Sequence, residues 1–208
     1  MLRGLVVRCL WLGIVCAAAS LVQAQDFSAD LMDLSGPQPT AVGKIYAKGD
    51  KLRVERGGAK EDGPHPVAIL DMGTHNMIIL ESSAQVYMKS NMGADMGTSF
   101  FRLGDGNNAC GDLQKMTEMK SDCKKNGKDT VNGRAAVKYE GKTQDGTQIT
   151  LWTDPELNFI VKWQVSGGDS GELKNIKVGT QDGKLFEVPA GYRDASSDAS
   201  KGSGENQK

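Results

Sequence analysis

The chain has 208 residues, enough for one domain with a substantial core, and its 25 basic and 26 acidic side chains leave a net charge of −1. No basic excess is present, which argues against a nucleic-acid partner. No stretch beyond the first 24 residues approaches the roughly 20 apolar residues of a membrane-spanning helix.

Residues 1–24 read as a secretory signal peptide. Arg3 and Arg8 give a basic start, Leu10–Ala19 an apolar run, and Val22-Gln23-Ala24 a small-residue cleavage site. Ile14-Val15-Cys16 lacks the small residue expected before a lipidated cysteine, which disfavours an anchor there. Cleavage after Ala24 removes Arg3 and Arg8 and leaves a net charge of −3. It also removes Cys9 and Cys16, so Cys110 and Cys123 remain. An even pair in an exported chain reads as a disulfide, and twelve intervening residues are not a redox C-x-x-C spacing.

The mature chain predicts one β domain over 25–193. Phe27–Leu34 alternates on Phe27, Ala29 and Leu31. Ala41–Lys48 and Lys51–Arg56 read as a hairpin around Gly49-Asp50. Val67–Met72 and Asn76–Glu81 are more continuously apolar, as central strands are. Gln85–Ser90 completes an antiparallel meander of six strands. The pattern then breaks. Asn91–Gly106 is rich in Gly and Met and carries Phe100-Phe101, while Gly111–Ser121 has the apolar spacing of a helix bracketed by the two cysteines. Strands resume at Asp129–Val131, Arg134–Gly141, Thr147–Asp154, Phe159–Val165 and Gly171–Val178, about eleven in all. Asp154-Pro155-Glu156-Leu157-Asn158 supplies a turn in which the Asp154 side chain bonds backbone just ahead of it. The alternation of Phe159, Val161, Trp163 and Val165 predicts one shared apolar face. Leu185–Val188 and Pro189–Tyr192 end the fold, and the polar segment 194–208 reads as a disordered tail.

Catalytic signatures are missing. His65 and His75 lie in loops, no Ser sits in G-x-S-x-G, and neither H-E-x-x-H nor a phosphate-binding loop occurs. No cofactor and no metal site is predicted. Met88, Met92 and Met96 recur every fourth residue, which suits an adaptable apolar surface and, as a lesser reading, soft ligation of Cu(I). There remains an excess of one-sided strands over covering elements. Either the sheet closes as a packed barrel, or it curves around a concave apolar face.

Four segments carry a family likeness: GKIYAKGDKLRVE (43–55), AILDMGTHNMIILESSAQVYM (68–88), LWTDPELNFIVKWQ (151–164) and LFEVPAGY (185–192). In this order they resemble the periplasmic outer-membrane lipoprotein carrier (LolA/LolB-like) superfamily, and more closely an uncharacterised secreted branch near it. The resemblance implies a mainly β fold: an open, curved antiparallel half-barrel with a short helical lid. It implies a non-enzymatic periplasmic protein that binds a lipid, an acyl chain or another apolar ligand in a half-barrel cavity, with a role in envelope lipid or lipoprotein trafficking and a lipid or a lipidated protein as partner. On that reading Leu151, Phe159, Val161, Trp163, Ile69 and Ile79 line the cavity, and Phe100, Phe101, Leu113 and Met116 belong to the lid. Less helix is present than in the carriers, and Arg53 is the nearest positional match to their lipoprotein-handling arginine. A secreted interaction module with a filled core stands as the other reading.

Overall fold

The computed structural model describes residues 25–57, 65–92, 102–116, 122–143 and 145–196. The signal-peptide reading of 1–24, the aromatic pair Phe100-Phe101, Met96 and residues 197–208 lie outside them.

Twelve strands form one sheet: β1 (Phe27–Asp33), β2 (Thr40–Lys48), β3 (Lys51–Arg56), β4 (Val67–Asp71), β5 (Asn76–Glu81), β6 (Val86–Asn91), β7 (Lys124–Val131), β8 (Arg134–Lys142), β9 (Gln148–Asp154), β10 (Phe159–Val165), β11 (Ser170–Val178) and β12 (Arg193–Asp194). Their order across the sheet is β12-β6-β5-β4-β3-β2-β1-β11-β10-β9-β8-β7. The sheet is curved and open, and all its pairings are antiparallel except the short β12–β6 contact. The six-strand meander is therefore present as predicted, and β1 lies mid-sheet between β2 and β11. The single described α-helix, α1 (Cys110–Met116), covers the first part of the predicted segment Gly111–Ser121, and residues 117–121 lie outside the described residues.

Three features differ from the sequence reading. First, β7 begins at Lys124, not Asp129. Its first seven residues are exposed and pair with β8 alone, so no apolar alternation marks them. Second, β10 carries a bulge between Ile160 and Lys162. One extra residue changes which face the following side chains take. Phe159 and Val161 join one core cluster, while Val165 packs on another and half-buried Trp163 touches both. The four apolar residues thus do not share one face. Third, the fold runs to Ser196. Ala195 N–H donates to Tyr87 O, and Lys89 N–H to Ser196 Oγ, three residues past the predicted end.

β10 and β11 pair over three positions only, Lys162–Gln164 with Glu172–Ser170. Beyond Lys162 the two strands separate, and the vacated edge of β10 pairs with Arg102 at Phe159. The separation lets the β9–β10 turn bring Leu157 and Phe159 to the β1–β5 side. There Phe159, fully buried, meets Phe27 edge-on at 5.0 Å. Ile45, Leu52, Leu70, Leu173 and Val161 complete that core.

The opposite face of β3–β6 is covered by the C-terminal strap. Phe186, in a 3-10 turn over Gly183–Phe186, packs on Val67, Ile69 and Leu80, with Leu185, Val188 and Tyr192 beside it. Arg53 Nη1 donates to Leu185 O at 2.9 Å, so Arg53 serves this strap. The Ser196 hydroxyl and backbone N–H hold the Asp194 carboxyl at about 2, below its ordinary 3.8.

Phe159→Ala removes the central buried ring and should cost about 3–5 kcal/mol in denaturant unfolding. The folded carboxyl of Asp194 titrates below its unfolded value, so its contribution is complete above pH 3.8 and lost as pH falls through about 2. An acid titration of the Ala195 amide resonance should show β12 leaving β6 in that window, and D194N should abolish the transition.

Candidate functional site

The register across the meander assigns each apolar side chain to a face. Ala47, Leu52, Leu70 and Met77 form one row across β2–β5 on the core side. Ile45, Val54, Ala68, Ile79 and Met88 form a second row across β2–β6 on the same side. Exposure increases along this second row. Ile45 is 1% exposed, Val54, Ala68 and Ile79 are half-buried, and Met88 reaches 38%. The core side of the sheet is thus filled at its centre and wetted towards β6.

The predicted lining residues do not share one surface. Phe159 and Val161 belong to the central core. Leu151 and Leu113 belong to a second cluster, where α1 covers β8–β10. Trp163 lies between these two. Ile69 pairs across from Ile78 while Ile79 pairs with Ala68, so Ile69 and Ile79 point to opposite faces. Ile69 is buried under the strap, and Ile79 belongs to the row that opens at Met88. Met116 is the last residue of α1. Sequence alternation could not separate Ile69 from Ile79 because both strands are continuously apolar.

The excursion around α1 is fixed to the sheet by buried polar groups. Tyr139 Oη donates to Gly106 O and accepts from Ala109 N–H. Thr153 Oγ1 also donates to Gly106 O, at 2.7 Å. Asn158 accepts from Gly106 N–H through its side chain and from Leu103 N–H through its carbonyl. Burial pushes the Tyr139 hydroxyl above its ordinary range, so it stays protonated and keeps donating. A Cβ on Gly106 would stand 2.9 Å from Pro155 Cα, so the close approach requires glycine there. The Cys110–Cys123 disulfide is present, with Cα atoms 5.6 Å apart, and closes the base of the excursion.

Two partly buried arginines sit in contrasting settings. Arg134 Nε donates to the buried Asp154 carboxylate, which raises the guanidinium above its ordinary range. Arg102 is the reverse case. Burial lowers its guanidinium, Asp26 and Asp50 oppose that, and Nη2 is buried with no hydrogen-bond partner among the described residues.

Asp71 Oδ1 accepts from Thr74 N–H and so caps the β4–β5 turn that carries His75. Among the described residues no group of three or more His, Cys, Asp or Glu could hold a metal. Met88 lies exposed on β6 and Met92 is 2% exposed in the core. Among the described residues no helix is long and apolar enough to cross a membrane.

No protein-family model matches the chain, and no curated protein does. Solved structures do. An uncharacterized conserved protein from Thermus thermophilus superposes with a TM-score of 0.52 at 10% identity, covering 83% of this chain and 91% of that one. A chain of the Pseudomonas aeruginosa MucA/MucB complex superposes with a TM-score of 0.50 at 14% identity, over 81% of this chain. This chain spans 57% of the length of that one. At such identities the likeness is one of fold. The disulfide suits an extracytoplasmic compartment.

The disulfide closes a loop with a sequence separation of 13. C110A/C123A should lower unfolding stability by about 3 kcal/mol. The measurement is denaturant unfolding of the double variant against the oxidised parent.

Proposed function

We propose that the protein is a non-enzymatic, periplasmic binding protein that takes an apolar group on the β3–β6 part of the core-side face. One observation carries the reading: the row Ile45–Val54–Ala68–Ile79–Met88 runs from full burial to a 38% exposed Met88 without a polar interruption. An apolar row that opens to water is where an acyl chain, or the lipidated end of a partner protein, gains from burial, at about 25 cal/mol per Å². Met77 and Met88 are thioether side chains able to adapt to such a guest. The signal peptide, cleaved after Ala24, delivers the chain to the compartment in which its disulfide persists. MucA accompanies MucB in the neighbouring structure, and a protein partner on this face is compatible with the same chemistry.

A second reading keeps support from a separate observation. Leu157 and Phe159 are fully buried and Val161 nearly so, which fills the centre of the sheet with the protein's own side chains. On this reading the fold is an interaction module with no small ligand.

Titration with a fluorescent fatty acid and mass spectrometry of an organic extract separate the two. Saturable binding that weakens about tenfold in Met88→Asp, an effect of about 1.4 kcal/mol, is the expected result. The unfolding midpoint of the variant should stay near that of the parent because Met88 is exposed. No co-purified lipid together with no saturable binding would select the filled module.

A further inference from the structure

The face opposite the core carries a second concavity, independent of the apolar row. It is a trough of about 470 Å³ lined by Ser28, Asp30, Lys44, Tyr46, Asn175 and Lys177. Its origin is a backbone irregularity. Ser28 pairs with Lys177 and Asp30 with Lys174, so β11 spends one more residue than β1 over this interval. Asn175, in that interval, has φ 51°, in the left-handed region that asparagine enters more readily than most residues with a side chain. Bulges of this kind re-aim side chains and bend the strand. Here Asn175 Nδ2 donates to Asp30 Oδ2 at 2.7 Å and so orients that carboxylate.

The trough combines unlike charges in a small volume. Lys44 stands 3.9 Å from Asp30, at the limit of an ion pair, and its side chain is 60% exposed. Lys177 makes no ion pair among the described residues. The lining thus holds two ammonium groups and one carboxylate, a net positive site on a chain of net charge −1. Ser28, Tyr46 and Asn175 add neutral donors and acceptors. An anion would be drawn to the lysines, while a pre-oriented carboxylate favours hydroxyl donors. A ligand that meets both demands bears an acid and several hydroxyls together, and the volume falls within the usual range of small-molecule sites.

We infer that this trough is a binding site for a small anionic sugar, either a sugar acid or a sugar phosphate. The inference does not depend on the apolar row, and M88D should leave it untouched.

The test is an amide NMR titration of the full mature chain with glucuronic acid, with glucose 6-phosphate, and with glucose and inorganic phosphate as controls. Saturating shifts confined to residues 28–30, 44–46 and 175–177, for at least one of the two anionic sugars, are expected. Whichever of the two saturates identifies the acid group. The shifts should weaken at least tenfold in K44A/K177A, whose exposed substitutions leave the rest of the spectrum in place. Asp30→Asn should weaken the sugar anions and leave the response to inorganic phosphate unchanged. Shifts scattered over other surface lysines would overturn the inference. So would a phosphate midpoint equal to that of glucose 6-phosphate, equal binding of glucose, or no saturable shift.

Discussion

The fold depends on one buried carboxylate. Asp154 is 1% exposed, and an ionised carboxylate so placed costs several kcal/mol unless it is fully partnered. Its Oδ1 accepts from the backbone N–H groups of Glu156 and Leu157, and its Oδ2 from Arg134 Nε. The two backbone bonds fix the turn, and the turn aims Leu157 and Phe159 into the central core. The arginine ties β9 to β8 at the same end and reaches Glu156 with Nη2 at 3.0 Å. Gly106 packs on Asp154 O and Pro155, so the excursion before α1 is seated on this corner too. One side chain thereby couples a turn, a strand pair, the core and the disulfide-closed segment.

A single curved sheet then has two unlike ends. Around β8–β10 both faces are covered, by α1 on one side and by the central core on the other. Around β4–β6 the outer face lies under the C-terminal strap while the core-side face opens at Met88. The packed end provides rigidity, and the open end provides apolar surface. Under the proposed function, the open end offers a guest shape and apolar contact on a sheet held firm at its other end.

Most strands were legible in the sequence because turn chemistry and period-2 alternation agreed. Gly49-Asp50, Asn132-Gly133 and Asp154–Asn158 all form the turns their residues favour, with Gly49, Asn132, Gly133 and Asn158 at positive φ. The start of β7 was hidden because KKNGK is an exposed edge whose only partner is β8. The bulge in β10 was hidden because an inserted residue leaves the alternating pattern intact while reversing the faces of the residues after it. The strap was seen as an ending and not as a cover, since a 3-10 turn and a two-residue strand carry no periodicity. For the candidate site, the apolar character of Ile79 and Met88 was readable. Their separation from Ile69 was not, because it comes from the register set by the β4–β5 turn. The trough near Asn175 depends on a slip between strands far apart in sequence, which no local pattern records.

The place of β1 has a consequence for how the molecule comes to exist. Its neighbours are β2, the next segment made, and β11, which begins at Ser170. One flank of the first strand therefore waits for nearly the whole chain to be synthesised. Pairings this distant in sequence form slowly, because the intervening loop must be closed before they return any energy. Until then the meander has a bare edge at β1, and β6 stays bare until β12 arrives. The middle of the sheet is therefore closed late, when β11 joins the β1–β6 meander to the β7–β10 strands, and the last described segments turn a sticky half-assembly into a finished one.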